Sequence, residues 1–293
     1  MNIALLFPGQ GSQTVGMGKA LYEAHPQVHR LFTVAEEVTG LPLRELMFEG
    51  PAEALQRTSV TQPALYLHGY AVAQVQGFAP AAAAGHSLGE FTALAVAGVF
   101  SFEEGLHLVQ VRAQAMQEAC DARPSTMAAI IGLSDEAVEK LCQEVSEGIV
   151  VPANYNSPGQ VVVSGETAAV EAVMAQAKTA GARLVKKLAV NGAFHSPLME
   201  PARQKLAEAI QKASFRAPRC PVYPNVTAQA EQDPEKLREL LIQQLTAPVR
   251  WTQTLQAMWA DGLRTFYELG PGNVLTGLVK RTLPEAQTAT YDH

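Results

Sequence analysis

The segment Gly85-His86-Ser87-Leu88-Gly89 is the feature that most constrains the fold of this chain. It lies between an apolar run at residues 81–84 and a helix-forming stretch at residues 90–97. A strand that turns sharply into a helix at a serine needs glycine on both sides, because a Cβ atom does not fit in the turn. The pattern therefore predicts a buried strand, an exposed Ser87 hydroxyl and a helix whose first amides face it. The alternative is an ordinary serine in a glycine-rich loop.

Strand-like and helix-like segments alternate along most of the chain, which predicts a parallel sheet covered by helices on both faces. Residues 126–190 depart from this pattern, because their order is β-α-β-β-α-β, the ferredoxin-like split unit. We therefore expect an α/β fold with two subdomains. Residues 1–125 and 191–293 form the large one, and residues 126–190 form a small inserted one.

Composition excludes several classes of function. The chain has 293 residues, of which 47% are hydrophobic and 17% are charged, and its net charge is −6. These values favour a globular protein that binds neither nucleic acid nor membrane. The first residues lack the basic region of a signal peptide, so we expect a cytoplasmic protein. Three widely spaced cysteines, Cys120, Cys142 and Cys220, predict neither a metal site nor a disulfide framework.

A second glycine-rich turn, Pro8-Gly9-Gln10-Gly11-Ser12-Gln13, follows a predicted first strand at residues 3–7. Thr14 stands where a dinucleotide-binding turn needs a third glycine, and no Gly-Lys-Ser/Thr sequence is present. The turn therefore predicts neither a nucleotide site nor a P-loop. Its backbone amides can still face an anion.

A serine nucleophile needs a base, and histidine is the usual one near neutral pH. Of seven histidines, His195 is notable because it lies where the chain leaves residues 126–190, a natural cleft wall. His86 adjoins Ser87, and we expect it to contact substrate because successive side chains diverge. The alternative for His195 is a structural histidine packed beside Phe194.

The interval between Ser87 and His195 contains no acid in a setting typical of the third member of a hydrolase triad. We therefore expect a backbone carbonyl to orient the histidine. This is a first departure from a standard hydrolase.

Arg112 is the second departure. On a helical wheel for residues 102–119 it falls inside the apolar arc. A guanidinium that faces the core is costly unless it meets an anion, so the pattern predicts a fork for a substrate carboxylate. The alternatives are an internal salt bridge or a side chain that reaches out to solvent. Together these residues predict an acyl ester on Ser87, with amides near Gln10 and Leu88 holding its oxyanion and Arg112 holding the far carboxylate of a short dicarboxylic acyl group.

Several motifs, in order along the whole chain, resemble those of the malonyl-CoA:acyl carrier protein transacylase family. They are Phe7-Pro8-Gly9-Gln10-Gly11-Ser12-Gln13, Thr61-Gln62-Pro63-Ala64-Leu65, Gly85-His86-Ser87-Leu88-Gly89-Glu90, Arg112, Asn156-Ser157-Pro158-Gly159-Gln160, Phe194-His195-Ser196 and Gly270-Pro271-Gly272.

The resemblance implies a hydrolase-like large lobe with a ferredoxin-like insert. It also implies ping-pong transfer of malonyl from coenzyme A to a serine and then to the phosphopantetheine thiol of an acyl carrier protein, by a monomer without a tightly bound cofactor or metal. The roles implied for individual residues are the nucleophile Ser87, the base His195, the malonate clamp Arg112, the oxyanion-hole amides of Gln10 and Leu88, and the main-chain carbonyl of Gln244 that orients the base. It further implies that His86, Gln62 and Asn156 line the pocket and that the bulky Phe194 favours malonyl over methylmalonyl.

Other functions remain open at this point. The same active site would serve a trans-acting polyketide synthase acyltransferase or the transferase subunit of a malonate decarboxylase. A thioesterase would use water as the acceptor, and a docking module would have no activity. Acyl carrier proteins are generally acidic, so we expect a basic patch on this chain to which the carrier would bind. The candidates for this patch are Arg183 with Lys186 and Lys187, or Lys280 with Arg281.

Overall fold

The computed structural model describes residues 2–293, which form two β-sheets and their covering helices. The strands in this part of the chain are β1 (Ile3–Phe7), β2 (Ala82–Gly85), β3 (Ser125–Ile131), β4 (Val150–Ser157), β5 (Gln160–Glu166), β6 (Leu184–Lys187), β7 (Val222–Tyr223), β8 (Thr265–Leu269) and β9 (Gln287–Tyr291).

The helices alternate with these strands. They are α1 (Lys19–Ala24), α2 (Pro26–Thr39), α3 (Leu43–Phe48), α4 (Ala52–Leu55), α5 (Thr58–Gln76), α6 (Gly89–Ala97), α7 (Phe102–Ala122), α8 (Asp135–Glu144), α9 (Thr167–Thr179), α10 (Glu200–Lys212), α11 (Pro234–Gln243), α12 (Trp251–Ala260) and α13 (Val274–Thr282), with short 3₁₀ turns at Pro197–Met199 and Gln244–Thr246. Among residues 2–293, none of these helices has the length and apolar character required to cross a membrane.

The larger sheet is parallel throughout, with the strand order β7-β2-β1-β8-β9. Strands β1 and β2 are buried along their whole length, and β2 is built from small residues that leave room for close packing. The strands predicted at residues 3–7 and 81–84 correspond to β1 and β2. The edge strand β9 was not predicted, because its sequence, Gln-Thr-Ala-Thr-Tyr, has no apolar run. In the structure its residues are exposed or only partly buried.

The smaller sheet is antiparallel, with the order β4-β5-β3-β6. Helices α8 and α9 pack on one face of it, and Ala128, Val161 and Val170 belong to its own apolar core. This is the strand order of the ferredoxin-like unit, so the predicted α/β fold with a parallel sheet and a separate antiparallel sheet is confirmed. The last strand, β6, ends at Lys187, three residues before the predicted end of the insert at residue 190.

Strand-like hydrogen bonds join the smaller sheet to the segment that follows the second 3₁₀ turn. The amide of Val249 donates to the carbonyl of Ala153 at 2.8 Å, and the amide of Tyr155 donates to the carbonyl of Val249 at 2.9 Å. Val249 therefore pairs in parallel with Asn154 at the edge of β4. The segment that follows the second 3₁₀ turn is held between both parts of the molecule.

The serine turn connects β2 to α6. Ser87 has a φ of 53°, in the left-handed region that side chains with a Cβ rarely adopt. A Cβ atom at Gly85 would overlap the backbone of Gly89, and one at Gly89 would overlap the carbonyl of Phe7 in β1. Both glycines are therefore required by the close approach of β1, β2 and α6.

We expect Gly89→Ala to lower the free energy of unfolding by about 3 kcal/mol, because backbone must move to accommodate the methyl group. Gly277→Ala is the matched control, since Gly277 lies within α13 and an added Cβ would meet no atom within 4 Å. This control should be neutral or more stable by roughly 0.5 kcal/mol. Urea denaturation of both variants measures the difference, and equal stabilities would contradict the steric argument.

Candidate active site

Ser87 and His195 meet at the edge of the large sheet. The Oγ of Ser87 lies 2.7 Å from the Nε2 of His195, although the residues are 108 positions apart. His195 has a φ of 57°, so both members of the pair adopt the strained left-handed conformation. Such strain costs about 1–3 kcal/mol at each position and persists only where surrounding contacts hold it. The strain thus marks these two residues as a candidate site.

Backbone carbonyls orient the imidazole of His195. Its Nδ1 lies 3.0 Å from the carbonyl oxygen of Gln244 and 3.1 Å from that of Ala247. A carbonyl only accepts hydrogen bonds, so Nδ1 carries the proton and the lone pair of Nε2 faces Ser87. Burial, and then the positive charge of Arg112, lower the pKa of His195 to about 3. The imidazole is therefore neutral at physiological pH and can accept the serine proton.

Arg112 projects from α7 into the same place and is 1% exposed. Its Nη1 donates to the Oε1 of Gln62 at 2.7 Å, and its Nη2 donates to the Oγ of Ser87 at 3.0 Å and to the Oε1 of Gln244 at 3.1 Å. Its Nε is buried without a hydrogen-bond acceptor in residues 2–293. Burial lowers the pKa of the guanidinium to about 9, so it stays charged near neutral pH.

The internal salt bridge that the sequence left open for Arg112 is not formed in the part of the chain that the structure describes. Every direct acceptor of the guanidinium is neutral, and no ion pair in residues 2–293 includes it. The side chain does not reach solvent either. A buried cation beside a hydroxyl, with one donor unused, is an arrangement suited to an anionic group.

A cavity of 110 Å³ opens beside these groups. Its walls are formed by Gln10, His86, Ser87, Arg112, Met116, Met127, Asn154, Leu188, Val190, Phe194 and His195. The backbone amides of Gln10 and Leu88 make no hydrogen bond with residues 2–293. Gln10 follows β1 and Leu88 precedes α6, so both amides belong to the turns around Ser87. They are available to an oxyanion formed on a group attached to Ser87.

The remaining predicted residues lie around this cavity in different ways. Phe194 and His86 form part of its wall, whereas Gln62 is completely buried behind Arg112 and does not line it. Asn156 does not line the cavity either, because its Oδ1 lies 2.8 Å from the Nε2 of His86 and fixes that ring. Burial lowers the pKa of His86.

Asn154 lines the cavity in the place predicted for Asn156. The two asparagines are alternate residues of β4, so their spacing in the sequence was the available signal. Register shifts between β4 and β5 decide which of them reaches the cavity, and these cannot be inferred from the spacing.

Asn225 was missed by the sequence analysis. Strand β7 pairs with β2 in parallel, so the residues that follow these strands meet at the same edge of the sheet. There the Oδ1 of Asn225 accepts from the amide of Ser87 at 2.8 Å, and its Nδ2 donates to the carbonyl of Gly85 at 2.7 Å. Asn225 thereby holds the strained serine turn from both sides.

Glu90 was also missed, although a carboxylate in the apolar sequence of α6 is a usable signal. It is 1% exposed, and burial raises its pKa to about 7. Its Oε2 accepts from the amide of Asn225 at 2.9 Å and from the Nε2 of Gln244 at 2.9 Å. The Nε2 of Gln244 also donates to the carbonyl of Ser87 at 2.9 Å. No cluster of three or more residues suited to binding a metal ion is found within residues 2–293.

Residues 4–292 match the family described as the acyl transferase domain. The chain is 46% identical over 283 residues to the malonyl CoA-acyl carrier protein transacylase of Escherichia coli K12, covering 95% of this chain and 92% of that one. It is 44% identical to the protein of the same name from Bacillus subtilis strain 168, with coverage of 95% and 90%.

Solved structures agree with these relatives. The malonyl-CoA:acyl carrier protein transacylase of Xanthomonas oryzae superposes with a TM-score of 0.95 and 44% identity, covering 99% of this chain and 94% of that chain. A malonyl-transacylase in complex with its type II PKS acyl-carrier protein has a TM-score of 0.96 and 43% identity, with coverage of 100% and 96%. This chain therefore belongs to the acyl transferase domain family, among the malonyl CoA-acyl carrier protein transacylases.

Proposed function

We propose that this protein transfers a malonyl group from coenzyme A to the phosphopantetheine thiol of an acyl carrier protein through a malonyl ester of Ser87. The observation that carries the proposal is the buried, charged Arg112, which has only neutral partners and lies 3.0 Å from the Ser87 hydroxyl. A free carboxylate on the acyl group is the complement of such a cation. The names of the relatives support the same reaction over the other acyltransferase roles.

In the first half-reaction, the Oγ of Ser87 attacks the thioester carbonyl of malonyl-CoA while the Nε2 of His195 takes the hydroxyl proton. The amides of Gln10 and Leu88 stabilise the negative charge on the carbonyl oxygen. The C–S bond then breaks, and His195 returns the proton to the departing sulfur of coenzyme A. Malonyl remains as an ester on Ser87, with its carboxylate on Arg112.

The second half-reaction reverses these roles. His195 takes the proton of the carrier's phosphopantetheine thiol, and the sulfur attacks the ester carbonyl. The C–O bond to Ser87 breaks, and the serine oxygen recovers the proton from His195. Two backbone carbonyls orient His195, so its tautomer is fixed without a carboxylate. None of these steps requires a cofactor.

Transfer is favoured over hydrolysis because the acyl ester would lie in a small cavity whose walls include Phe194, Met116 and Met127. Fixing the malonyl carboxylate on Arg112 restricts the faces from which water can attack. A thioesterase would instead release free malonate when no carrier is present.

We also propose that the two sheets mark subdomains with the boundaries expected from the sequence, residues 1–125 with 191–293 and residues 126–190. Met127, Asn154 and Leu188 from the smaller part reach the cavity that the larger part forms around Ser87. The cytoplasmic location, the monomeric state and the basic patch for the carrier remain predictions.

Incubation with malonyl-CoA should increase the intact mass of the wild-type protein by one malonyl group, and Ser87→Ala should abolish this increase, because the ester needs the Ser87 oxygen. Ser134→Ala is the control, since Ser134 caps α8 far from the cavity and should leave acylation unchanged. Adding phosphopantetheinylated carrier proteins from different pathways then shows which of them accept the malonyl group. An adduct that survives in Ser87→Ala would refute the nucleophile.

Arg112→Ala should lower kcat/KM for malonyl-CoA about 100-fold while leaving that for acetyl-CoA nearly unchanged, because only malonyl loses a charge-assisted contact. Arg203→Ala is the control, since Arg203 forms a surface pair with Glu200. The ratio of the two kcat/KM values is the measurement. A variant that kept the full preference for malonyl would rule out the clamp.

The rate of Ser87 acylation by acetyl-CoA should be nearly constant from about pH 8 down to about pH 5. Neutral His195 is the active form, and its pKa is lowered to about 3, so it stays neutral throughout this range. A histidine with an ordinary pKa of about 6.5 would lose roughly tenfold in rate for each pH unit below that value. Acetyl-CoA is chosen because it has no carboxylate for Arg112, and quenched-flow mass spectrometry follows the adduct.

A further inference from the structure

Glu90 is a buried carboxylate that the reaction steps above do not use. It lies in the first turn of α6, three residues after Ser87, and its Oε2 accepts two hydrogen bonds, from Asn225 and Gln244. Neither donor is charged. A carboxylate held in this way is costly to bury unless a cation acts on it.

The cation that acts on Glu90 is Arg112, and the side-chain amide of Gln244 connects the two. The Oε1 of Gln244 accepts from Arg112 at 3.1 Å, while its Nε2 donates to Glu90 at 2.9 Å. The amide dipole is therefore aligned with both charges, with its oxygen toward the cation and its N–H toward the anion. The three groups form an ion pair with one amide inserted between the charges.

On the basis of the proposed function, we propose that Glu90 is a positioning residue that acts on Arg112 through Gln244 and sets how strongly the site holds an acyl group with a free carboxylate. Glu90 and the malonyl carboxylate are two anions that share one cation. The acyl group gains less from Arg112 while Glu90 is ionised than when Glu90 is neutral.

The same competition links malonyl binding to a proton. Burial raises the pKa of Glu90 to about 7, and the hydrogen bonds from Asn225 and Gln244, followed by the charge of Arg112, oppose this rise. The other titratable groups at the site are His86 and His195, and both are neutral near pH 7 because burial lowers the pKa of each. When a malonyl carboxylate binds Arg112, Glu90 loses part of its compensation, so its pKa rises further and it takes up a proton from solvent. An acetyl group has no carboxylate and leaves Glu90 unchanged.

The wild-type protein tests this link directly. In weakly buffered solution near pH 7.5, an indicator dye should report that malonylation of Ser87 takes up a substantial fraction of a proton more than acetylation of Ser87 does. Acyl transfer moves one proton from serine to the coenzyme A thiol with either substrate, so that contribution cancels in the comparison. Equal proton uptake with both substrates would refute the inference.

The variant Glu90→Gln provides a second test, because glutamine keeps an oxygen acceptor and removes the charge. The measurement is the equilibrium between acyl-CoA and acyl-enzyme, followed by intact mass. At about pH 8 the equilibrium constant for forming the malonyl-enzyme should be about fivefold larger for the variant than for the wild type. A factor of this size is at the lower end of the coupling usually found between two binding sites. At about pH 6, where Glu90 is protonated in the wild type, the two proteins should agree, and the acetyl equilibrium should agree at both pH values.

Glu268→Gln is the matched control. Glu268 is also completely buried and accepts from two amides, those of Leu275 and Thr276 at the start of α13, but it lies in β8 and does not line the cavity. It should change neither equilibrium. A Glu90→Gln protein that shifts malonyl and acetyl alike, or that shifts malonyl equally at both pH values, would reduce Glu90 to a purely structural role. Failure of the wild-type protein to form any malonyl adduct would instead refute the proposed function itself.

Discussion

The buried guanidinium of Arg112 is the interaction on which the rest of the site depends. Removing a cation from water costs several kcal/mol, and the direct partners of Arg112 supply hydrogen bonds but no negative charge. The site therefore keeps a positive charge next to the Ser87 hydroxyl with no anion in direct contact, since Glu90 acts on it only through Gln244. In the proposed function the carboxylate of the substrate provides the missing charge. Burying Arg112 costs free energy, and only an acyl group with a free carboxylate offsets this cost. The site is therefore selective for such acyl groups.

Gln244 connects the groups that must act together. Its main-chain carbonyl faces His195, its side-chain oxygen accepts from Arg112, and its side-chain nitrogen donates to the carbonyl of Ser87. One residue thereby fixes the orientation of the base, the clamp and the nucleophile relative to one another. The segment after it is paired with β4, so the smaller sheet and the orientation of His195 are mechanically linked.

Strain at Ser87 and His195 is balanced by contacts from distant parts of the chain. Asn225 accepts from the amide of Ser87 itself and donates to the carbonyl of Gly85, where the turn begins. Glu90 in turn holds the amide of Asn225. These contacts keep the serine hydroxyl in the cavity and in line with His195, which matches the general requirement that reacting groups be held before the substrate arrives. The proposed charge coupling of Glu90 to Arg112 uses the same contacts.

The sequence by itself determined the features that depend on local sterics and periodicity. The glycines around Ser87 required a strand-turn-helix unit, the β-α-β-β-α-β order required the smaller sheet, and the apolar arc of α7 placed Arg112 in the interior. Ser87, His195 and Arg112 could be selected because each breaks a local rule. The edge strand β9 could not be predicted, because its sequence has no apolar pattern. The choice of Asn154 over Asn156 as a cavity residue could not be predicted either, because it depends on register shifts between β4 and β5.

Only the tertiary structure decided which atoms meet. Asn225 and Gln244 lie 138 and 157 residues from Ser87 in sequence, and nothing local in either segment indicates the contact. Asn225 reaches the site because β7 pairs in parallel with β2, so that both strands end at the same edge of the sheet. The oxyanion amides, the carbonyls that orient His195 and the neutral partners of Arg112 likewise depend on how separate turns pack together. Packing of this kind follows from strand order and burial over the whole chain, whereas a sequence motif reports only the sterics of its own neighbours.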